Sequence, residues 1–122
     1  MIDNLDNPAA VARVRWLSAA DGGRISGPPT ARVYASTCVF PLSDQEEATP
    51  EWLASTDMFS ILLQRIDLQP AIDEKVKVGF LVPGLVAPYL RVNARVIITE
   101  GHKVVAHAVI QELCAEGQPD NA

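Results

Sequence analysis

No apolar stretch in this sequence comes near the ~20 residues that a helix needs to span a bilayer, so a helical membrane anchor is not expected. Cysteine is scarce. Cys38 and Cys114 stand far apart, with no Cys-x-x-Cys pair and no histidine at metal spacing. That excludes a disulfide-stapled scaffold and a local zinc motif, and it reads as two reduced thiols. Histidine is just as rare, with only His102 and His107. No metal and no cofactor are expected. The first residues, Met1-Ile2-Asp3-Asn4-Leu5-Asp6, are acidic and lack a basic region followed by an apolar one. The expectation is a cytoplasmic protein without a secretory signal.

What the sequence does have is charge of both signs, unevenly spread. The net charge is −5. Residues 42–74 hold eight acids and one base, Arg65, whereas residues 8–41 hold four arginines and one acid, Asp21. Overall acidity argues against bulk electrostatic binding to nucleic acid or anionic membrane, though a local basic patch remains compatible with it.

At 122 residues, almost half of them apolar, the chain makes one domain with one core. Residues 1–10 and 115–122 read as flexible tails around a domain over 11–114. Val11–Leu17 alternates, with Ala12, Val14 and Trp16 on one face and Arg13 and Arg15 on the other. Period two means a half-buried strand. Ser18–Pro29 is a Gly/Pro loop. Arg32–Leu42 is a second strand whose two faces are almost equally apolar. Met58–Leu68 fits either a helix face or a strand face. Strand is favoured, because the other strands need partners. Lys75–Val82 alternates again until Pro83-Gly84 stops it.

The strongest pattern is a terminal hairpin, Tyr89–Thr99 against Lys103–Leu113. Leu90, Val92, Ala94, Val96 and Ile98 alternate with polar residues, as do Val104, Ala106, Ala108 and Ile110 in the partner. Pairing 98 with 104, 96 with 106 and 94 with 108 keeps both apolar sets on one face. That register predicts a three-residue connection, Glu100-Gly101-His102. The opposed alanines predict a narrow interior. The fold class expected is all-β, a small six-stranded antiparallel barrel.

Two stretches also resemble the C-terminal β-barrel, domain 3, of the elongation factor Tu family. One is a strand followed by Ser18-Ala19-Ala20-Asp21-Gly22-Gly23-Arg24 and a Pro/Gly loop. The other is Arg95–Leu113, with its Glu-Gly turn and Val/Ala-rich last strand. The resemblance covers residues 11–41 and 75–114. It implies a free-standing barrel without the GTPase domain; the chain has no Gly-x-x-x-x-Gly-Lys-Ser/Thr loop for GTP. In that family the barrel contacts the GTPase domain, the T-stem of aminoacyl-tRNA and the exchange factor. The family's Gly-Tyr-Arg-Pro-Gln-Phe run is missing here, and Gly101-His102-Lys103 replaces its final turn.

Three groups of residues are candidate contacts. Gly22, Gly23 and Arg24 can form a backbone concavity beside a cation, suited to an anion or a partner carboxylate. The plainer reading is a turn that needs positive φ, with Arg24 solvated or paired to Asp21. Arg13, Arg15, Arg91 and Arg95 point outward and can form a basic stripe for RNA phosphate if their strands are neighbours; otherwise they are a solvated face. Trp52 and Phe59 lie among acids, as a contact for a basic partner or as caps on an open barrel end. A Cys38–His107 nucleophile pair has no motif behind it. Glu46-Glu47 and Asp73-Glu74 read as solvated charge. The function expected is a non-enzymatic protein-binding module, with RNA (tRNA) binding and a small-molecule or catalytic barrel as alternatives. Open sheet edges would allow a homodimer.

Overall fold

The computed structural model describes residues 8–25, 27, 29–41, 56–66, 71–101 and 103–114. Six strands form the fold: β1 (Ala10–Trp16), β2 (Val33–Val39), β3 (Phe59–Arg65), β4 (Asp73–Phe80), β5 (Arg95–Glu100) and β6 (Lys103–Leu113). They close into a barrel in the order β1-β4-β3-β2-β5-β6, and every neighbouring pair is antiparallel. The expected all-β six-stranded barrel is the fold observed. Among the described residues, closure gives every strand a neighbour on both sides.

Alternation decides which side chains face inward. Ala10, Ala12, Val14 and Trp16 of β1, Val76, Val78 and Phe80 of β4, and Ala106, Ala108 and Ile110 of β6 share one core. The ambiguous third segment is a strand, with Ile61 and Leu63 in that same core. In β2 the even residues point in, so Cys38 lies fully buried. Burial pushes its thiol up to about 12. His107 is exposed on the opposite side of the wall, between buried Ala106 and Ala108. A Cys38–His107 nucleophile pair is therefore ruled out by geometry. Neither Cys38 nor Cys114 forms a disulfide.

The terminal hairpin differs from expectation in two ways. Its first strand begins at Arg95, not Tyr89. Residues Pro83–Val86 form one short helix, α1, and Ala87–Tyr89 a 3₁₀ turn. Prolines 83 and 88 lack the N–H that a strand ladder requires. Val82 and Val92, expected inside, are 55% and 50% exposed. The register also moves: Ile98 pairs with Ala106 and Val96 with Ala108. The connection is shorter than expected, because Glu100 pairs directly with Lys103. By itself such a turn would put one apolar set outside. A bulge corrects the parity: Thr99 pairs with Val104 and Ile98 with Ala106, so Val105 is the extra residue. Val105 and Ala106 are both fully buried.

The β2–β5 seam is the shortest ladder, with three paired positions. Side chains supplement it. Thr37 Oγ1 lies 2.6 Å from Thr99 Oγ1, and Ser36 donates to the Thr99 carbonyl. Among the described residues, no helix is long and apolar enough to cross a membrane.

Candidate functional site

The two ends of the barrel differ in chemistry. Strand direction puts Trp16, the described residues of the 17–32 loop, Arg65 and Glu100 at one end, and Phe40, Phe80 and Arg95 at the other.

The first end is built around a buried ion pair. Arg65 Nε donates to Glu74 Oε1 at 3.1 Å, and Trp16 Nε1 donates to Glu74 Oε2 at 2.9 Å. The same guanidinium donates to the carbonyls of Thr30 and Ala31, each at 3.1 Å, and to that of Pro29. Arg65 thus ties the long loop to the barrel. Glu74 is not the solvated acid that its sequence neighbours suggest. It occupies the inward parity of β4, and only Asp73 faces out, bonded to Arg13 at 2.5 Å.

The Gly22-Gly23-Arg24 loop lies at this end, and the backbone N–H groups of Gly22 and Gly23 are already used. Asp21 N and Gly23 N donate to Ser18 O, and Gly22 N donates to Ala19 O. The concavity suited to an anion is therefore filled from within. Gly22 has φ +92°, and Gly23 is packed against Leu17. Arg24 turns away from Asp21. It lies 5.4 Å over the Tyr34 ring and 3.5 Å from Glu100. Tyr34 donates to the same carboxylate, and burial, aided by that bond, raises its pKa to about 12. These residues brace the loop. Trp52, the other proposed protein contact, lies outside the described residues.

The opposite end is apolar. Phe40 stacks on Tyr89, with centroids 5.0 Å apart and planes 9° from parallel. Phe59 and Phe80 surround them, and Val86 is fully buried below. Phe59 therefore does pack at an open barrel end, the second of its two expected roles. Loop 81–94 lies over this end. It hides Val86 but leaves Leu81 (61%), Val82, Leu85 (59%) and Val92 exposed. A cavity of about 200 Å³ opens beside it, lined by Phe40, Pro41, Pro88, Tyr89, Arg91, Ala94 and Arg95. No protein-family model matches this chain, and no curated protein does either.

The arginine stripe is partly assembled. Strands β4, β1, β6 and β5 are consecutive neighbours, so Lys75, Arg13, Val109 and Arg95 form one row across the outer wall. Asp73, Arg15, His107 and Ile97 form the next. At ~4.8 Å between strands, a row spans about 14 Å. Arg91 stands apart, in the turn before β5, and joins Arg95 at the cavity. This pairing could not be read from the sequence, where 89–99 looked like a single strand. The signal available was the proline at each end of the 83–88 segment.

Partial burial first, then the Arg95 cation, hold the His107 pKa below its usual 6.5. The folded protein takes this proton less readily than the unfolded chain does. The stability linked to His107 is therefore complete above pH ~6.5 and is lost as pH falls through the folded value. An NMR titration of the imidazole should show the lowered pKa, and Arg95→Gln should move it upward. An unchanged value in that variant would place Arg95 away from the ring.

Proposed function

We propose that this chain is a non-enzymatic protein-binding module, a barrel of the kind that ends elongation factor Tu. One observation carries the binding role: loop 81–94 exposes four large apolar side chains at one barrel end. Folded monomers rarely leave such a group uncovered unless something docks on it. The interior supports the same reading, because it is packed with apolar side chains, several of them alanine. The barrel topology, the Gly-Gly-Arg loop and the Val/Ala-rich last strand support the likeness to elongation factor Tu. Cys38 and Cys114 form no disulfide, which suits a reducing, cytoplasmic setting.

Affinity purification from the source cells should recover a protein with the wild type and lose it with Leu81→Asp/Leu85→Asp. Equal recovery with both would remove the loop as the interface. A second reading, RNA binding, is favoured by the Lys75–Arg13–Arg95 row. Salt-sensitive RNA recovery that Arg13→Ala/Arg15→Ala abolishes would favour it instead.

A further inference from the structure

We infer that the docking end recognises an acidic, leucine-rich segment of the partner protein, with one carboxylate held between Arg91 and Arg95 against the Phe40–Tyr89 stack. The inference rests on the protein-binding reading above and names the chemistry of its partner.

Three observations converge on this chemistry. The first is size. A cavity of about 200 Å³ is below the ~300–1,000 Å³ of small-molecule sites, and it suits one or two side chains. The second is its wall. Arg91 and Arg95 line it together with the stacked rings of Phe40 and Tyr89. A guanidinium offers a fork of N–H donors that matches a carboxylate, and two of them beside an apolar floor favour an acid carried on an apolar backbone. The third is the surroundings. The same loop exposes Leu81, Val82, Leu85 and Val92. Next to Arg95 runs a wall whose rows carry Lys75, Lys77, Arg13, Arg15 and Arg95 against Asp73 and Glu112. Five cations face two carboxylates there, in a chain of net charge −5. An acidic partner is thus drawn to this side of the molecule.

Phosphate would meet the arginines as well, but it would gain nothing from four exposed aliphatic side chains. That favours a peptide over a nucleic acid. The turn that presents Arg91 is itself held. Ala94 N donates to Arg91 O at 3.1 Å, Asn93 N donates to Ile110 O at 2.8 Å, and Asn93 adopts φ +74°. Arg91 is therefore presented by a fixed backbone, with little ordering cost on binding.

The test uses the full chain and three labelled probes followed by fluorescence anisotropy. One is a peptide alternating leucine with glutamate, the second is its glutamine counterpart, and the third is a single-stranded oligouridine. The glutamate peptide should bind best. Arg91→Gln/Arg95→Gln should weaken it by about tenfold or more, the loss of roughly one charge-assisted contact. Equal binding of the glutamine peptide, or tighter binding of oligouridine, would overturn the inference. So would an unchanged affinity in the arginine variant. Suppose the purified partner is lost with Leu81→Asp/Leu85→Asp but kept with Arg91→Gln/Arg95→Gln. The docking loop then stands, and only its acidic specificity falls.

Discussion

Replacing Arg65 with Met should cost the barrel about 3–5 kcal/mol, the usual result of removing one member of a buried ion pair. Arg65 and Glu74 are 7% and 3% exposed. Without the guanidinium, Glu74 keeps only the Trp16 N–H and becomes a buried, uncompensated charge. Three loop carbonyls, at Pro29, Thr30 and Ala31, lose their donor as well. Small domains are stable by only ~5–15 kcal/mol, so this single change consumes much of the total. Chemical denaturation, followed by Trp16 and Trp52 fluorescence, would measure it. The double variant Arg65→Met/Glu74→Leu should lose less than Arg65→Met alone, because both charges are then gone. A loss below about 1 kcal/mol for Arg65→Met would mean that water already reaches the pair.

Gly23→Ala should rank second, at about 2–3 kcal/mol, as overpacking does where the backbone cannot yield. A Cβ built there would stand 2.1 Å from Leu17 O and 2.6 Å from Leu17 C. Neither partner is loose. Leu17 N donates to Val105 O at 2.9 Å, and Gly23 N donates to Ser18 O at 2.8 Å. The neighbour Gly22 tests a different cause. Its φ is +92°, but a Cβ there would meet nothing within 4 Å. Gly22→Ala therefore carries only the left-handed backbone penalty, about 1–2 kcal/mol. Thermal unfolding should place Gly22→Ala between the wild type and Gly23→Ala. The reverse order would make backbone conformation, not space, the reason for the second glycine.

The candidate site was only partly legible. The outward direction of Arg13, Arg15 and Arg95 follows from alternation, because Ala12, Val14, Val96 and Ile98 must point in. That Arg13 and Arg95 share a row does not follow, because it depends on β6 lying between β1 and β5. The Gly-Gly-Arg motif was visible, and its reading as an anion cradle failed for a local reason. Its N–H groups close back on Ser18 and Ala19. The docking loop was misread because Leu90, Val92 and Ala94 continue the alternation of Val96 and Ile98. Two prolines and the turn at Asn93 outweigh that pattern.

By itself, the sequence determined five of the strands, the inward faces of β1 and β4 and most of that of β6, and the barrel class; β3 was only favoured as a strand until the barrel closed around it. Period two is a property of the chain, and burying an apolar face is favourable whatever it packs against. Even the mistaken hairpin register obeyed this rule from Ala106 onward. Ala106, Ala108 and Ile110 point in as expected, while the bulge puts Val105, not Val104, in the core. Only the tertiary structure decided what meets across the barrel. Trp16, Arg65 and Glu74 come from three strands, and Phe40, Tyr89 and Arg95 from three separated parts of the chain. Such contacts depend on strand order and closure. Those are set by the sum of many weak packing terms over the whole ring, and no local pattern encodes them.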